Sequence, residues 1–435
     1  MRSLSIALAG GVALRSTAHL SKDRSAPKVT ADYAQAERDQ DSHERYYLDL
    51  GMDKWLPHVT SLSFETASIP LSMQDARLLR ECYAHLHGRT YYEDMSQPTS
   101  DSLPSNLVTA LTDLGQRLWP TMKALGAGKD GVFGKLSGRS AKDSPLYTAR
   151  LDEAFAAQLA DREKQEDAGS EENLRLLSLF EASLELMRLH EPASLLWMFI
   201  NSQRVDEDLD VALRHPDRWD QAIVIRRWSD AVSSDLEFRM FVTNGRPTGL
   251  TQYNQLVYSP RIAKRAGAIA DALCKYYAAE VLPRLVDTGF YTAVDGRFTC
   301  DFAIHPKALA LLDGAAAGTG AGTAAGTGAG TGAAAAAAVL TREHIELVEL
   351  NCFYEATGMG LFDYHKDKPR LDNGPFESRV RTEPLPHAAV KLEVEWRDVL
   401  KSQPGGTAKP LAGDAATRRN TDEAWRQLLK AQQVG

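Results

Sequence analysis

Apolar residues that recur every three or four positions predict amphipathic helices along this chain. The clearest helix carries one apolar stripe formed by Leu174, Leu177, Phe180, Leu184 and Met187. It should end near Pro192, because proline lacks the N–H group that a continuing helix needs. We also expect helices over 107–119, ending at or near Pro120, over 261–285, and over 421–432.

Two runs rich in β-branched and aromatic residues predict strands in the middle of the chain. They are AIVIRRW, which ends at Trp228, and LEFRMFV, which covers 236–242. The intervening SDAVSSD has the composition of a turn. The pattern therefore predicts that the two strands form a hairpin.

Two later strand-like runs, 297–304 and 344–351, lie on either side of a tract made only of glycine, alanine and threonine at 314–338. The tract has no charge and little to pack, which is typical of a flexible insert. Long inserts add little loop-closure free energy, so the flanking segments can still pair with each other. We expect them to form an antiparallel pair.

The alternation of side chains within these two strands places oxygen-bearing groups together. Asp301 lies on the face opposite Phe298 and Cys300, while Glu349 and Asn351 are two residues apart and share a face. In an antiparallel pair these three side chains could converge. Two carboxylates and an amide suit Mg²⁺, although acidic residues on strands are more often solvated surface residues.

Basic residues occur in two segments that could supply an anion site. Arg226, Arg227 and Arg239 belong to the middle strands, and Lys135, Arg139 and Lys142 cluster in the segment GVFGKLSGRSAKDSP. Arginine binds phosphate oxygens with two donors and lysine supplies a point charge. Together with the oxygen ligands they are consistent with an ATP–magnesium site, and ordinary surface charge, with Glu237 paired to an arginine, is the alternative.

Composition limits the class of protein. The 435 residues are 43% hydrophobic and 25% charged, and the mean hydropathy is −0.33. These values exclude a mainly disordered, collagen-like or membrane-spanning chain. The net charge of −8 provides no overall attraction to nucleic acid or to an anionic membrane. We therefore expect neither as a partner.

The four cysteines and the first 25 residues give information about the cellular compartment of the protein. Cys82, Cys274, Cys300 and Cys352 lack the spacing of a zinc site or a disulfide framework, so we expect buried thiols in a reducing, cytoplasmic environment. Residues 1–22 contain three basic residues and no acidic one. Residues 1–25 are therefore either a disordered extension or an organelle-targeting segment.

Known nucleotide and hydrolase motifs are absent from the sequence: it contains no GxxxxGK[ST] loop, no GxSxG and no HExxH. Five blocks instead resemble, in order, those of the cell-division-cycle protein 123 family. They are KLSGRSAKDSP, LLWMFINSQRVDEDLDVAL, IVIRRWSDAVSSDLEFRMFVTNGRPTGLTQYN, FTCDFAI and LVELNCFYEATGMGLFDY. Upstream, KWLPHVTSLSFETASIPLS is similar to the opening segment of that family.

The resemblance implies an α+β, ATP-grasp-like fold in which a nucleotide is held between two mixed or antiparallel sheets with flanking helices. It implies a folded domain over 45–366 that contains the 314–338 insert, followed by a polar tail over 367–435 with one short helix. Members bind ATP and Mg²⁺ and act as assembly chaperones of translation initiation factor 2 through its gamma subunit. We expect the same cofactors and partner here, and a monomer.

The resemblance also assigns residues to the site. Lys135 would contact the phosphates under a loop formed by Ser137, Gly138 and Arg139. The cofactor-binding set is completed by Val224, Arg226, Arg227 and Trp228 of the strand expected to accept adenine, and by Glu237 and Arg239. Asp301, Glu349 and Asn351 would hold Mg²⁺.

The chain departs from the family pattern at several positions, which predicts a divergent member. Glu349 replaces a usual aspartate, Cys352 follows Asn351 where proline is common, and Tyr253 with Asn254 replaces a usual Arg-Asp pair. Two other functions stay open at this point. One is an ATP-grasp ligase or phosphotransferase that acts on a protein or a small molecule, and the other is a scaffold without activity.

Overall fold

The structure, a computed structural model, describes residues 6–7, 11–12, 31–91, 94–164, 168–317, 340–354, 357–401 and 421–434. Residues 402–420 of the expected tail and the part of the insert from 318 onward lie outside these ranges. Of the expected extension at 1–25, only two short strands are described.

The helices, in chain order, are α1 (Ala31–Asp49), α2 (Met52–Val59), α3 (Met73–His87), α4 (Ser105–Ala124), α5 (Arg150–Arg162), α6 (Glu171–Glu185), α7 (Pro192–Ile200), α8 (Gln203–Arg214), α9 (Pro260–Ala263), α10 (Ala266–Tyr276), α11 (Leu282–Leu285), α12 (Gly289–Ala293), α13 (Pro306–Ala317), α14 (Tyr364–Asn373), α15 (Val394–Lys401) and α16 (Asp422–Val434). The strands are β1 (Ile6–Ala7), β2 (Gly11–Val12), β3 (Thr66–Pro70), β4 (Arg89–Tyr91), β5 (Asp94–Ser96), β6 (Val132–Leu136), β7 (Ala222–Arg227), β8 (Glu237–Thr243), β9 (Arg246–Gln252), β10 (Phe298–Ile304), β11 (Ile345–Cys352) and β12 (Glu377–Arg379).

Two sheets organise the fold. The smaller sheet has the order β3-β7-β6 and is antiparallel throughout. The larger sheet has the order β11-β10-β8-β9-β12, with β12 parallel to β9 and the other neighbours antiparallel. Helices flank both sheets, which confirms the predicted α+β class with two sheets.

Strand β7 separates two hydrophobic cores. Ile223 and Ile225 pack into the core that contains α4 and α7. Val224, between them in sequence, packs on the opposite face into the core of the larger sheet. Because successive side chains of a strand point to opposite faces, one strand can serve both cores.

The predicted hairpin of the two middle strands is wrong. β7 pairs with β3 and β6, whereas β8 pairs with β9 and β10, so the two strands belong to different sheets. Strands of a hairpin usually bury side chains in one core. Here Phe238 and Met240 of β8 belong to the core of Val224 and not to that of Ile223. The segment SDAVSSD therefore connects the two sheets.

The antiparallel pairing across the insert is confirmed, since β10 pairs with β11 over their whole length. The helix predicted around Leu177 is present as α6, but it ends at Glu185 and not near Pro192, which instead takes the first position of α7, where proline's missing N–H costs nothing. The helix predicted after Thr421 is confirmed as α16. The helix predicted for 261–285 is divided into α9, α10, a π-helical turn at Tyr277–Val281 and α11.

Two other predicted boundaries, the end of helix α4 and the start of the tail, are wrong. Helix α4 continues through Pro120 to Ala124, because its buried stripe continues from Leu118 to Met122 and packing outweighs the hydrogen bond that proline removes. The folded part also extends beyond residue 366: β12 joins the larger sheet and Trp396 of α15 is buried against α6. The predicted tail boundary at 367 is therefore too early.

Helix α16 completes the core around α4 and α7. Ala424 and Leu428 are buried there, and the indole Nε1 of Trp197 donates to the carbonyl oxygen of Thr421 at 3.3 Å. The backbone N–H of Leu103 donates to Oε1 of Gln427 at 2.9 Å. A segment late in the chain is thus part of the lobe that contains β6.

The cysteines are thiols in this structure. Cys82, Cys300 and Cys352 are buried as predicted, and Cys274 is half-buried.

Candidate functional site

The two sheets face each other across a cleft, and side chains join them. Nη2 of Arg226 on β7 donates to the carbonyl oxygen of Val348 on β11 at 2.7 Å. The hydroxyl of Ser63, just before β3, donates to the carbonyl oxygen of Leu347 at 2.7 Å. Nζ of Lys135 on β6 forms an ion pair with Oε1 of Glu349 on β11. These contacts fix the distance between the sheets.

A pocket of about 910 Å³, its open mouth included, occupies this cleft. Its walls are mainly apolar and include Phe64, Phe133, Phe180, Leu184, Met187, Val232 and Val348. Charged residues, among them Lys135, Lys142, Glu237 and Glu349, also line it. The pocket therefore suits a ligand with a flat apolar part and a charged part.

The ion pair of Lys135 and Glu349 lies at the charged part of the pocket. The Lys135 side chain is only 3% exposed, so its charge needs a partner. Burial alone would raise the pKa of Glu349, but the charges of Lys135, Lys142 and Arg226 lower it to about 2. Glu349 is therefore an anion at all physiological pH values.

A second ion pair lies on the neighbouring strands of the larger sheet. Arg239 on β8 faces Asp301 on β10, and the guanidinium donates to both carboxylate oxygens, at 2.8 and 2.7 Å. Nη1 of Arg239 also donates to the carbonyl oxygen of Gly358 at 2.6 Å. Burial would lower the pKa of Arg239, but Asp301 raises it above its ordinary value. The arginine is thus a fixed cation.

Asn351 links the two carboxylates. Its Nδ2 donates to Oδ2 of Asp301 at 3.0 Å and to Oε2 of Glu349 at 3.3 Å. The convergence predicted from strand alternation is therefore present, and β10 and β11 place Asp301 directly opposite Glu349. Within the described ranges, no group of three His, Cys, Asp or Glu side chains is placed to hold a metal. These two carboxylates with the Asn351 amide are the oxygen-rich set of the cleft.

An unpaired hydroxyl accompanies this set. Thr299 is fully buried, lies opposite Asn351 across the strand pair, and is two residues from Asp301 on the same face of β10. In the described part of the chain its Oγ1 has no hydrogen-bond partner. Buried polar groups normally have partners, so this group is consistent with a polar ligand or its water shell at this position.

Glu237, the first residue of β8, is a third carboxylate of the cleft. Burial raises its pKa to about 7, with Asp301 and Glu349 raising it and Lys142 opposing them. It therefore changes charge near neutral pH, in contrast to Glu349, whose pKa is lowered to about 2. This property makes the charge of the pocket depend on pH.

The structure brings most of the expected site residues together. Lys135, Arg226, Arg227, Trp228, Glu237 and Glu349 line the pocket, and Arg239, Asp301 and Asn351 form the adjoining network. Val224 lies on the same face of β7 as Arg226 and opposite Lys135, but it is fully buried and does not line the pocket. At the mouth, Arg227 pairs with Glu65 at 2.6 Å, and the Trp228 indole donates to Asp230 at 2.9 Å.

The three residues of the loop after β6 that were expected to cover the phosphates, Ser137, Gly138 and Arg139, do not line the pocket. The backbone N–H of Ala222 donates to the Ser137 hydroxyl at 2.9 Å, which ties that loop to β7. Arg139 is bound to Asp208, at 2.6 Å from its Nε, and to Glu207 at 3.0 Å. A Cβ at Gly138 would overlap the Tyr47 hydroxyl, so glycine permits this close approach. In this structure the three residues anchor the loop to α1 and α8.

Several residues that line the pocket were not predicted from the sequence to be site residues. Phe133 is two residues from Lys135 on β6, so strand alternation could have placed it in the cleft. Met187 lies just past the end of α6 and carries no comparable signal. Lys142 was part of the basic cluster, and its ammonium lies 4.9 Å from the centroid of the Tyr253 ring.

We expect Glu349→Gln to lower the free energy of unfolding by about 3–5 kcal/mol, because it leaves the buried Lys135 charge without a partner. The loss should be full above pH about 4.5 and should vanish as the pH falls toward 2, since Glu349 has its lowered pKa only in the folded state. Urea unfolding at several pH values measures this effect.

The matched control is Glu65→Gln, which breaks the exposed pair with Arg227 and should change the free energy of unfolding by less than about 1 kcal/mol. The double variant Lys135→Met with Glu349→Leu should recover much of the lost stability. Equal unfolding curves for Glu349→Gln and Glu65→Gln would contradict the buried ion pair.

Comparisons with known proteins agree with the resemblance seen in the sequence. The D123 family model matches residues 181–382. Two solved structures of Cdc123 from Schizosaccharomyces pombe, one full and one truncated at its C-terminus, are each 15% identical to the chain with a TM-score of 0.45. Each match covers 78% of this chain and 97% or 98% of the solved one. Among curated proteins, none matches. Residues 181–382 are thus similar to the D123 family, that of cell-division-cycle protein 123.

Proposed function

We propose that this chain binds ATP with Mg²⁺ in the cleft and acts as an assembly chaperone of translation initiation factor 2 through its gamma subunit. One observation carries the nucleotide part: a single pocket between two sheets joins apolar walls to a cluster of paired cations and carboxylates. The arrangement is that expected of an ATP-grasp-like site.

The apolar part of the pocket supports a purine base. Phe133 and Val348 come from opposite sheets, and Trp228 lies where β7 leaves the smaller sheet. Flat aromatic and aliphatic surfaces on two sides favour a flat ring system. The base would therefore lie between the sheets, next to the segment that connects them.

The charged side chains of the cleft support the binding of a polyanionic group, such as the phosphates of the ligand. Four cations, Lys135, Lys142, Arg226 and Arg239, accompany three carboxylates, Glu237, Asp301 and Glu349. With all groups ionised the net charge is 4 − 3 = +1, and it rises when Glu237 takes up a proton. In a cleft of low dielectric, this excess attracts phosphate more strongly than an exposed patch would.

The carboxylates of the cleft support the binding of a divalent cation. Asp301, Glu349 and the Asn351 amide would hold Mg²⁺, which neutralises phosphate charge when bound. In this structure each carboxylate has a cation as its partner, Asp301 with Arg239 and Glu349 with Lys135. If Lys135 and Arg239 turn to phosphate oxygens, the two carboxylates become available to the metal. Phosphate and metal binding should then reinforce each other.

The similarity to the D123 family supports the partner. The D123 match covers β8 to β12, which include the carboxylate strands. The resemblance implies the gamma subunit of translation initiation factor 2 as the client. In the described ranges, no helix combines the length and apolar character that crossing a bilayer requires.

We expect Asp301→Asn to weaken ATP binding about tenfold or more in the presence of Mg²⁺, because the variant loses a metal ligand. In EDTA it should bind ATP at least as well as the unchanged protein, since Arg239 is released from its carboxylate partner. Calorimetric titration of ATP with Mg²⁺ and with EDTA measures both effects.

The control is Asp313→Asn, which breaks an exposed Asp–Arg pair with Arg265 that has similar geometry outside the cleft. It should leave ATP affinity unchanged under both conditions. A loss for Asp301→Asn that is equal with Mg²⁺ and with EDTA would contradict the metal role.

We expect ATP affinity to fall about three- to tenfold between pH 6 and pH 8, because Glu237, with a pKa of about 7, gains a negative charge beside the phosphates. Glu237→Gln should remove this part of the pH dependence, while Glu65→Gln should keep it. Parallel slopes for Glu237→Gln and the unchanged protein would show that another group is responsible. Affinity titrations across this pH range provide the measurement.

We expect the tagged protein to retain the purified gamma subunit of translation initiation factor 2 in the presence of ATP and Mg²⁺, and Asp301→Asn to retain several times less. Asp313→Asn serves as the matched control and should behave as the unchanged protein. Absence of capture by a protein that binds ATP normally would remove the client from the proposal and leave nucleotide binding in place.

A further inference from the structure

An aromatic ring beside the pocket is in contact with two cations, one of which, Lys142, lines the pocket. The ring of Tyr253, which directly follows β9, is only 9% exposed. The ammonium of Lys142 lies 4.9 Å from the ring centroid, and the guanidinium carbon of Arg239 lies 4.8 Å from it. Both distances are within the ~6 Å over which a cation is attracted by an aromatic face.

The backbone fixes this ring. The N–H of Tyr253 donates to the carbonyl oxygen of Glu237 at 2.8 Å, which extends the ladder between β8 and β9 by one residue. Gln252 pairs with Phe238, whose side chain lies in the core. Since side chains alternate along a strand, Tyr253 is on the cleft face with Glu237 and Arg239.

The two cations differ in their other partners. Arg239 is held by Asp301 and by the Gly358 carbonyl, so its position does not depend on the ring. In the described part of the chain, no carboxylate is within ion-pair distance of the Lys142 ammonium. Its close contact is the Tyr253 ring. Within the described ranges, Lys142 and Arg226 are thus the two pocket cations without a carboxylate partner, and of these only Arg226 is held by a backbone carbonyl, that of Val348.

An aromatic ring is a suitable partner for such a cation. A carboxylate at this position would cancel the charge, whereas the ring attracts the ammonium through its quadrupole and leaves its net charge unchanged. The ring also covers one side of the ammonium, which reduces the number of side-chain conformations that lysine would lose on binding an anion.

We propose that Tyr253 is a positioning residue that holds the Lys142 ammonium at the wall of the pocket for the phosphate chain of the ligand. The assignment rests on the proposed nucleotide function for its choice of ligand. The cation itself can be tested with inorganic triphosphate, which needs no base pocket.

We expect Tyr253→Leu, which keeps apolar volume and removes the ring, to weaken binding of inorganic triphosphate and of ATP with Mg²⁺ about tenfold. Adenosine affinity should not change, because the ring is outside the base-binding walls. Tyr253→Phe keeps the ring and should bind triphosphate within about twofold of the unchanged protein. Isothermal calorimetry with the three probes measures these affinities.

A double variant separates positioning from packing. In a Lys142→Met background, Tyr253→Leu should cause no further loss of triphosphate affinity, because the cation that the ring positions is absent. The matched control is Tyr364→Leu, which removes a ring that contacts Lys368 on α14, outside the pocket. It should leave all three affinities unchanged.

Three results would overturn the inference: unchanged triphosphate binding by Tyr253→Leu, an equal loss in Tyr253→Phe, or full additivity with Lys142→Met. Weaker triphosphate binding by Tyr253→Leu would support the inference. If the unchanged protein also binds triphosphate as tightly as ATP, that result would count against the nucleotide function. Thermal unfolding of each variant identifies any loss caused by misfolding, and the Tyr253→Phe comparison decides the question even if Tyr253→Leu is unstable.

Discussion

The buried ion pair between Lys135 and Glu349 is the interaction on which the cleft depends. A lysine charge that is almost fully removed from water must have a partner, and the partner comes from the other sheet. The pair therefore holds β6 and β11 in register across the cleft, and Arg226 adds a second link to β11 through the Val348 carbonyl. The charged end of the pocket exists because both sheets contribute to it.

The same constraint extends along the larger sheet. Glu349 shares Asn351 with Asp301, and Asp301 is paired with Arg239, so one polar network runs over three neighbouring strands. Such networks are stable only when nearly every member has a partner. The buried Thr299 hydroxyl beside this network lacks one. Nε of Arg226, in the same cleft, also lacks a partner, so the described residues do not satisfy every buried polar group of the cleft.

The sequence was informative wherever a local pattern determines geometry. Alternation along two strands was enough to place Asp301, Glu349 and Asn351 together, because their strands do pair. It failed for β7 and β8, since the partners of β7 come from residues 66–70 and 132–136, far away in sequence. Likewise, nothing around Arg139 indicates that Asp208 on α8 holds its guanidinium. Contacts between residues far apart in sequence decide such cases, and these contacts cannot be inferred from the local pattern of a single sequence.

The docking of α16 has a consequence for how the chain is made. The core that contains β6, α4 and α7 is enclosed by Ala424 and Leu428, which a ribosome adds only after both sheets have been synthesised. Until then, apolar side chains such as Leu111 and Leu196 have an open flank. A nascent chain of this kind is exposed to aggregation and to chaperone capture for most of its synthesis. The core around α4 and α7 can therefore close only after α16 has been synthesised.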